Sequence, residues 1–163
     1  MRYLMIDRVL YLESFKKLTA IKCVALSEDL YADHFFGNPI MPGAMQIETM
    51  AQAGTVLLEV SSRFTKKAVL ALINMAKFRE SVRPGDQMRV EITLVSLENE
   101  LAQTDGTIFV GDKLVTSGRL TFSLQPIDDY YPPHTRNLTG VLYDNFLRGA
   151  TLVGVERSSD SHG

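Results

Sequence analysis

The sequence predicts an α+β domain in which an antiparallel sheet wraps around one long central helix. The first observation is a helical pattern over residues 43–61 that is apolar around most of its circumference, which predicts a buried helix. The second is a series of strand patterns separated by turn residues, most of them after the helix. The third is the composition: 45% of the 163 residues are apolar, which suits one domain with a sizeable core.

Runs of β-forming residues between turn signals predict six strands, at residues 3–12, 17–26, 68–78, 87–97, 101–110 and 113–124. Residues 27–33 form a loop or a short helical turn before the central helix. The third strand, 68–78, is apolar enough to be a central strand of the sheet. The fourth alternates apolar with polar residues, as expected when one face is buried.

The character of the chain changes after residue 125. We therefore divide it into a folded domain, residues 1–125, and a C-terminal extension, residues 126–163. The extension begins with a linker that contains two adjacent prolines. Apolar residues then recur at helical spacing between Leu138 and Phe146, and residues 158–163 are expected to be disordered.

Composition narrows the class of protein. The net charge of −2 gives no support for nucleic-acid binding, which usually needs a basic surface. The single cysteine, Cys23, excludes an intramolecular disulfide, and we expect it to be a small buried apolar residue. No apolar run approaches the roughly 20 residues of a membrane-spanning helix, and charges occur too early for a signal peptide. A cytoplasmic protein without membrane insertion is therefore expected.

The chemically informative stretch runs from His34 to Gln52. A turn-rich segment with two glycines and two prolines connects His34 to the helix start at Gly43. The first amides of a helix lack intrahelical partners and lie at the positive end of its dipole, so Gly43 can offer a donor to a substrate oxygen. Glu48 follows His34 by 14 residues (48 − 34). The stretch thus supplies a candidate base, a candidate acid and a candidate oxyanion site.

Such a trio suits removal of a proton beside a carbonyl. The histidine would take the proton, the helix amides would stabilise the enolate, and a buried carboxyl of raised pKa would protonate a departing hydroxyl. A structural alternative is open, because Glu48, Gln52, Thr55 and Glu59 fall on one stripe of the helix. On that alternative the first three are its solvated face, and the residues alone favour the two interpretations about equally.

The stretch resembles the active-site segment of the 3-hydroxyacyl-acyl carrier protein dehydratases of type II fatty acid synthesis. That family's pattern is His-Phe-Pro-Gly-x-Pro-(Ile/Val)-Met-Pro-Gly-x-x-x-x-Glu-x-Met-Ala-Gln, and nearly every position matches residues 34–52. Residues 4–9, 76–79 and 84–87 are similar to three further signatures of the family. The resemblance implies a hotdog fold and elimination of water from a 3-hydroxyacyl thioester to give a trans-2-enoyl thioester.

The resemblance also implies residue roles. His34 would take the α-proton, Glu48 of the other subunit would handle the hydroxyl, and the Gly43 amide would hold the thioester oxygen. Gln52 would orient Glu48. The remaining residues expected to bind substrate or line the acyl tunnel are apolar: Met41, Pro42, Met45, Ile47, Met75 and Phe78.

The partners implied are an acyl carrier protein and a second copy of the chain, as a homodimer or a trimer of such dimers. The substrate would arrive on the phosphopantetheine arm of the carrier, and no metal or redox cofactor is implied. Cations that could meet the acidic carrier are Lys77, Arg79 and Arg83, with Lys66 and Lys67 as further candidates. For any single cation, plain surface solubility is the competing explanation.

Two positions depart from the family pattern. Phe36 replaces the usual proline, so the turn after His34 loses a fixed φ, and Asp33 replaces a common glycine, where a left-handed backbone would be costly. Two other functions stay open: a hotdog thioesterase and a non-catalytic acyl-binding subunit. The Pro-Gly-x-x-x-x-Glu context argues against the first, and retention of both His34 and Glu48 argues against the second.

Overall fold

The structure is a computed structural model that describes residues 3–132 and 136–155. Its helices are α1 (Gly43–Ser61) and α2 (Arg136–Leu147), and short 3₁₀ turns occupy Asp29–Tyr31 and Ile127–Asp129. Its strands are β1 (Arg8–Glu13), β2 (Lys17–Cys23), β3 (Lys66–Phe78), β4 (Gln87–Glu98), β5 (Leu101–Val110), β6 (Lys113–Pro126) and β7 (Thr151–Val153).

The described strands form one sheet in the order β3-β6-β5-β4-β2-β1-β7. Every neighbouring pair is antiparallel except β1 with β7. Helix α1 packs against β2, β3, β4, β5 and β6, so the sheet wraps around it as the sequence predicts. Within the described residues, no helix is both long and apolar enough to cross a membrane.

The predicted burial of α1 is confirmed, since most of its residues from Thr49 to Ser61 are buried. Close packing between helix and sheet depends on a small residue at position 54. A Cβ built on Gly54 would lie 2.7 Å from the Cζ atom of Phe122 on β6, which is shorter than any ordinary carbon contact. The glycine therefore sets how closely α1 approaches the sheet.

Three sequence expectations about strands are wrong. Strand β1 begins at Arg8 rather than at residue 3, and β3 is an edge strand rather than a central one. Cys23 is exposed, because the buried face of β2 carries Leu18, Ala20 and Lys22. The strand period of two places the neighbouring lysine inside instead. Its ammonium is neutralised there by carboxylates, 2.7 Å from Glu28 and 3.6 Å from Asp7.

The C-terminal extension contains the predicted helix, α2, and a strand that the sequence did not predict, β7. Strand β7 adds to the edge of β1, and α2 packs against β1. Tyr143 and Phe146 of α2 belong to the same buried cluster as the central helix. Division at residue 125 stays a prediction, and the expectations for residues 133–135 and 158–163 lie outside the described residues.

Candidate active site

The loop that carries His34 is held by backbone hydrogen bonds at both ends of a tight turn. The amide of Phe35 donates to the Asn38 carbonyl at 3.1 Å, and the Asn38 amide donates back to Phe35 at 2.9 Å. The amide of Ile40 donates to the His34 carbonyl at 2.9 Å. Gly37, at φ +72°, supplies the left-handed residue that this turn requires. The loop is thus fixed by its own backbone, next to the start of α1.

The hydrogen bond of the His34 ring defines its tautomer. Its Nδ1 atom lies 3.0 Å from the carbonyl oxygen of Ile40. Because a carbonyl can only accept, Nδ1 must carry the hydrogen, and in the neutral ring Nε2 then keeps its lone pair. The ring is half-buried and stacks on Phe35. His34 is therefore arranged to take a proton through Nε2.

Helix α1 begins at Gly43, with Pro42 as its N-cap residue. The amides of Met45 and Gln46 donate to the Pro42 carbonyl, whereas among the described residues no acceptor for the Gly43 amide is found. A Cβ at position 43 would lie 2.9 Å from the Phe78 ring, so only glycine fits under that ring without displacing it. The result is an unpaired amide at the positive end of a 19-residue helix.

Glu48 and Gln52 are joined by a hydrogen bond on one face of α1. Gln52 Nε2 donates to Glu48 Oε1 at 2.8 Å and to the Tyr3 carbonyl at 3.0 Å, while Gln52 Oε1 accepts from the Met5 amide at 2.8 Å. The amide of Gln52 is therefore held in one orientation, and this orientation aims a donor at Glu48. The hydrogen bond from Gln52 places Tyr3 beside this site, and burial, followed by the Glu48 carboxylate, raises the pKa of the Tyr3 phenol.

Within one chain, Glu48 is half-buried rather than buried, and no hydrogen bond joins it to His34 among the described residues. The two expected catalytic side chains thus do not form one completed site in a single copy. Among the described residues, the His34 ring has a hydrogen-bond partner only at Nδ1, and the Glu48 carboxylate has one only in Gln52.

The residues expected to line an acyl tunnel divide into two groups. Met41 is buried in the core, and Pro42, Met45 and Ile47 are partly buried around the start of α1. Met75 and Phe78 lie on the edge strand β3 and are 42% and 49% exposed. The ring of Phe78 nevertheless covers Gly43. The edge strand therefore contributes directly to the surroundings of the helix start.

The candidate carrier contacts differ in their engagement. Lys77 is exposed, and Arg79 donates to Ser117 Oγ at 2.9 Å from an exposed position. Arg83 Nη1 donates to Asn38 Oδ1 at 2.6 Å, so it braces the His34 loop. The further candidates are both paired: Lys66 with Glu100 at 3.0 Å and Lys67 with the buried Glu59 at 2.7 Å.

The two departures from the family pattern have mild structural consequences. Phe36 is 98% exposed at the tip of the turn, so its ring displaces nothing in the core. Asp33 is not among the non-glycine residues of positive φ in the described chain, so the expected left-handed strain at this position does not occur. The turn remains closed by the Phe35 and Asn38 hydrogen bonds.

Sequence reasoning missed Gln46, Thr116 and the surroundings of Glu59. Gln46 and Thr116 are buried and hydrogen-bonded to each other across 70 residues of sequence. A polar amide on the core side of an apolar helix was the one signal available for Gln46. Glu59 is wholly buried and receives a hydrogen bond from Tyr143 of the C-terminal extension. Among the described residues, no group of His, Cys, Asp or Glu side chains is arranged to hold a metal ion.

A long helix wrapped by an antiparallel sheet defines a hotdog-fold protein, and solved structures share this architecture. A protein of Streptococcus mutans UA159 solved with acetyl CoA superposes with a TM-score of 0.59 at 15% identity, covering 73% of this chain and 88% of that one. At this identity the likeness shows the fold alone.

Sequence comparison then identifies the family. Residues 1–119 match the FabA-like domain. The chain is 42% identical over 123 residues to the 3-hydroxyacyl-acyl-carrier-protein dehydratase FabZ of Symbiobacterium thermophilum, covering 75% of this chain and 87% of that enzyme. It is 39% identical over 125 residues to FabZ of Koribacter versatilis, covering 76% and 80%. The chain therefore belongs to the family of 3-hydroxyacyl-acyl-carrier-protein dehydratases, as the resemblance in residues 34–52 predicts.

Proposed function

We propose that this protein is a lyase that removes water from 3-hydroxyacyl thioesters on acyl carrier protein, producing trans-2-enoyl thioesters for acyl-chain biosynthesis. The observation that carries the proposal is the His34 ring, whose Nδ1 is occupied by the Ile40 carbonyl, three residues before a helix-start amide, that of Gly43, with no acceptor among the described residues. Membership of the dehydratase family and the names of the curated relatives support it.

The reaction begins with the carbon next to the thioester carbonyl. His34 Nε2 takes the proton from this carbon, and its electrons move toward the carbonyl to form an enolate. The Gly43 amide donates to the oxygen on which the negative charge develops, with the α1 dipole in support. Because this donor belongs to the backbone of a buried helix, its direction is set before the substrate arrives.

The second half of the reaction expels the 3-hydroxyl group. The Glu48 carboxyl gives it a proton, the carbon–oxygen bond breaks, and the enolate electrons form the double bond of the enoyl product. The atoms balance as one enoyl thioester and one water. Gln52 keeps Glu48 aimed, since its amide is fixed by the backbone of Tyr3 and Met5. The proton on His34 then returns to Glu48 through water or solvent.

The proposal includes a homodimer in which each site combines His34 of one subunit with Glu48 of the other. Strand β3 lies at a sheet edge, and its apolar side chains Leu72, Ile73, Met75 and Phe78 are 42–54% exposed. An exposed apolar edge of 13 residues is a template for pairing with a second strand.

The acyl chain would lie against Met41, Met45, Ile47, Met75 and Phe78, and the chemistry needs no cofactor beyond the phosphopantetheine arm that carries the substrate. Lys77 and Arg79, exposed near the end of β3, and Arg83 beside the His34 loop would meet the acidic carrier. Lys67 is left out of this set because Glu59 holds its ammonium.

The test is a hydration–dehydration assay with 3-hydroxyacyl and enoyl thioesters of several chain lengths on carrier protein. Wild type, His34→Ala, Glu48→Gln and the control Thr55→Val are compared; Thr55 lies on the same helix stripe. Removing the base or the acid should lower kcat by about 10²–10⁴-fold, whereas Thr55→Val should keep turnover. Inactive wild type at every length contradicts the dehydratase proposal, and release of free thiol would support a thioesterase. Unchanged turnover in both active-site variants contradicts the residue roles.

A further inference from the structure

A chain of buried hydrogen bonds runs from β6 to the loop before α1. Thr116 Oγ1 donates to Gln46 Oε1, and Gln46 Nε2 donates to the Met41 carbonyl at 3.2 Å. Gln46 is 3% exposed and Thr116 is 0% exposed. Burying this amide is favourable only because both of its ends are paired.

The Thr116 hydroxyl sets which way the Gln46 amide points. The Met41 carbonyl can only accept, so it must face Gln46 Nε2, which leaves Oε1 facing the hydroxyl of Thr116. Without this hydroxyl, Oε1 has no donor on that side. The amide then gains nothing from its present orientation and can turn away from Met41.

Met41 is the point at which this chain of hydrogen bonds controls the helix start. The Met41 amide donates to the Val82 carbonyl at 2.8 Å, and the Met41 carbonyl receives Gln46. The following residue, Pro42, has a ring-restricted φ of −56°. Between the fixed Met41 carbonyl and the Gly43 amide there remains essentially one soft dihedral, the ψ of Pro42. The Pro42 carbonyl, in the same peptide plane as the Gly43 N–H, also accepts from the Met45 and Gln46 amides. The direction of the Gly43 N–H therefore depends on how Met41 is held together with these first bonds of the helix.

The strand pair that contains Thr116 also contacts Gly43 through a second side chain, Phe78. Thr116 lies opposite Phe78 in the β3–β6 pairing, and the Phe78 ring covers Gly43. One cross-strand pair thus contacts the helix start twice, through a ring and through a chain of hydrogen bonds. Phe78 limits where the Gly43 backbone can lie, and Gln46 limits how its peptide is oriented.

We propose that Gln46 and Thr116 are positioning residues that aim the Gly43 amide at the thioester oxygen by fixing the Met41 carbonyl. The inference deepens the proposed function and rests on the role given there to Gly43. Neither side chain touches the substrate, and both act through the backbone of residues 41–43.

The kinetic test uses Thr116→Val, which removes the hydroxyl at nearly constant shape, and Thr116→Ser, which keeps it. Thr104→Val is the matched control, because Thr104 is equally buried but its hydroxyl has no hydrogen-bond partner in the part of the chain that the structure describes. Thr116→Val should lower kcat by about tenfold to a hundredfold with KM nearly unchanged, since a small misplacement of a catalytic donor costs that much. Thr116→Ser should restore most of the rate, and Thr104→Val should match wild type. Equal kcat in all four proteins, assayed well below their unfolding temperatures, overturns the inference.

A spectroscopic test reads the Gly43 amide directly and does not depend on activity. The sequence contains two Pro-Gly pairs, Pro42-Gly43 and Pro84-Gly85. Labelling proline with ¹³C at the carbonyl and glycine with ¹⁵N therefore selects two amide signals, and Pro84→Ala identifies one of them by removing it. Thr116→Val should shift the Gly43 signal and leave Gly85 in place, and Thr116→Ser should shift it less.

A Gly43 signal that does not move in Thr116→Val, or that moves as much in Thr104→Val, contradicts the positioning role. If the wild type is inactive but Thr116→Val still shifts the Gly43 signal, the dehydratase proposal is refuted and the control of Gly43 by Thr116 is confirmed. The two failures are thus distinguishable.

Discussion

Glu48 and Glu59 lie on the same stripe of helix α1 and have opposite surroundings. Glu48 is half-buried, and among the described residues its one hydrogen-bond partner is Gln52. Glu59 is 0% exposed, and both of its oxygens have partners: Lys67 lies 2.7 Å from Oε1, the Ala68 amide donates to Oε1 at 3.2 Å, and the Tyr143 hydroxyl donates to Oε2. Among the described residues, Glu48 has a partner at only one of its oxygens, whereas Glu59 has partners at both.

The difference fits the proposed role of Glu48 as the catalytic acid and a structural role for Glu59. A carboxyl that must deliver a proton needs an oxygen free to approach the substrate, which Glu48 has and Glu59 lacks. A buried carboxylate must instead be paired on every side, because an unpaired one would pay a large desolvation cost. Helical spacing predicts the shared stripe of both residues but cannot distinguish these two situations.

The largest expected effect is the loss of catalysis when Glu48 is replaced. Glu48→Gln keeps the shape of the side chain and removes its acid, so kcat should fall by about 10²–10⁴-fold. Its free energy of unfolding should change by no more than about 0.5 kcal/mol, because the residue is half-buried with one partner. Steady-state dehydration kinetics and thermal unfolding of the same preparation measure both. A lost activity that accompanies lost folding would contradict the assignment.

Glu59→Gln should show the reverse pattern. It leaves the Lys67 ammonium without its counter-charge, and breaking a pair of this kind costs about 3 kcal/mol, or roughly 10 °C in the unfolding midpoint. Residual folded protein should retain nearly normal kcat. Calorimetry or circular dichroism gives the midpoint, and a midpoint equal to that of wild type would mean that the buried pair contributes nothing to stability.

Tyr143→Phe tests the contribution of the C-terminal extension to the same cluster. It removes the hydroxyl that bonds to Glu59 but keeps the ring, which packs edge-on against Phe64 and Phe146. A hydrogen bond to a charged group contributes about 1.5 kcal/mol, so denaturant unfolding should show a loss of this size. An equal loss in a Glu59→Gln background would show that the two side chains are not coupled.

The smallest expected effect is the pH dependence of the contribution that Tyr143 makes to the free energy of unfolding. Burial, and then the Glu59 carboxylate, raise the pKa of Tyr143 above its ordinary value of 10.0. Below that pH both the folded and unfolded chains keep the phenol proton, so the stability difference between wild type and Tyr143→Phe should be constant. Above it the unfolded chain ionises first, and the difference should shrink. Urea unfolding between pH 7 and 10.5 measures it; a difference that grows with pH would contradict the direction of the shift.

Lys67 also makes the free energy of unfolding fall at alkaline pH. Burial opposes its charge, but the Glu59 carboxylate and Tyr131 together outweigh this, so its pKa is raised above 10.5. Its contribution to stability is therefore complete below that value and falls as the pH rises through it.

Much of the fold could be predicted because its signals are local. The bounds of α1 follow from Pro42 and Gly43 at one end and from an apolar circumference, and the strand limits follow from turn residues. The position of β3 at the sheet edge could not be predicted, since an apolar edge strand has the same composition as a central one. The burial of Lys22 instead of Cys23 depends on register, which a one-residue slip reverses.

The candidate site likewise has features that a local sequence pattern reveals and features that it does not. His34, Gly43 and Glu48 could be named as candidates because one continuous segment carries them, and their catalytic roles stay a prediction. The pairing of Glu59 with Tyr143 joins residues 84 apart, and that of Gln46 with Thr116 joins residues 70 apart. Neither pair leaves a local pattern, so only the three-dimensional structure reveals them.

The most direct test of the account is complementation between two inactive variants. His34→Ala and Glu48→Gln are co-expressed with different tags, and the mixed dimer is purified by both tags in turn. If His34 of one subunit works with Glu48 of the other, each mixed dimer contains one intact site of two and should show about half of the wild-type kcat. Each variant alone should stay inactive. A mixed dimer as inactive as its parents would contradict the shared site.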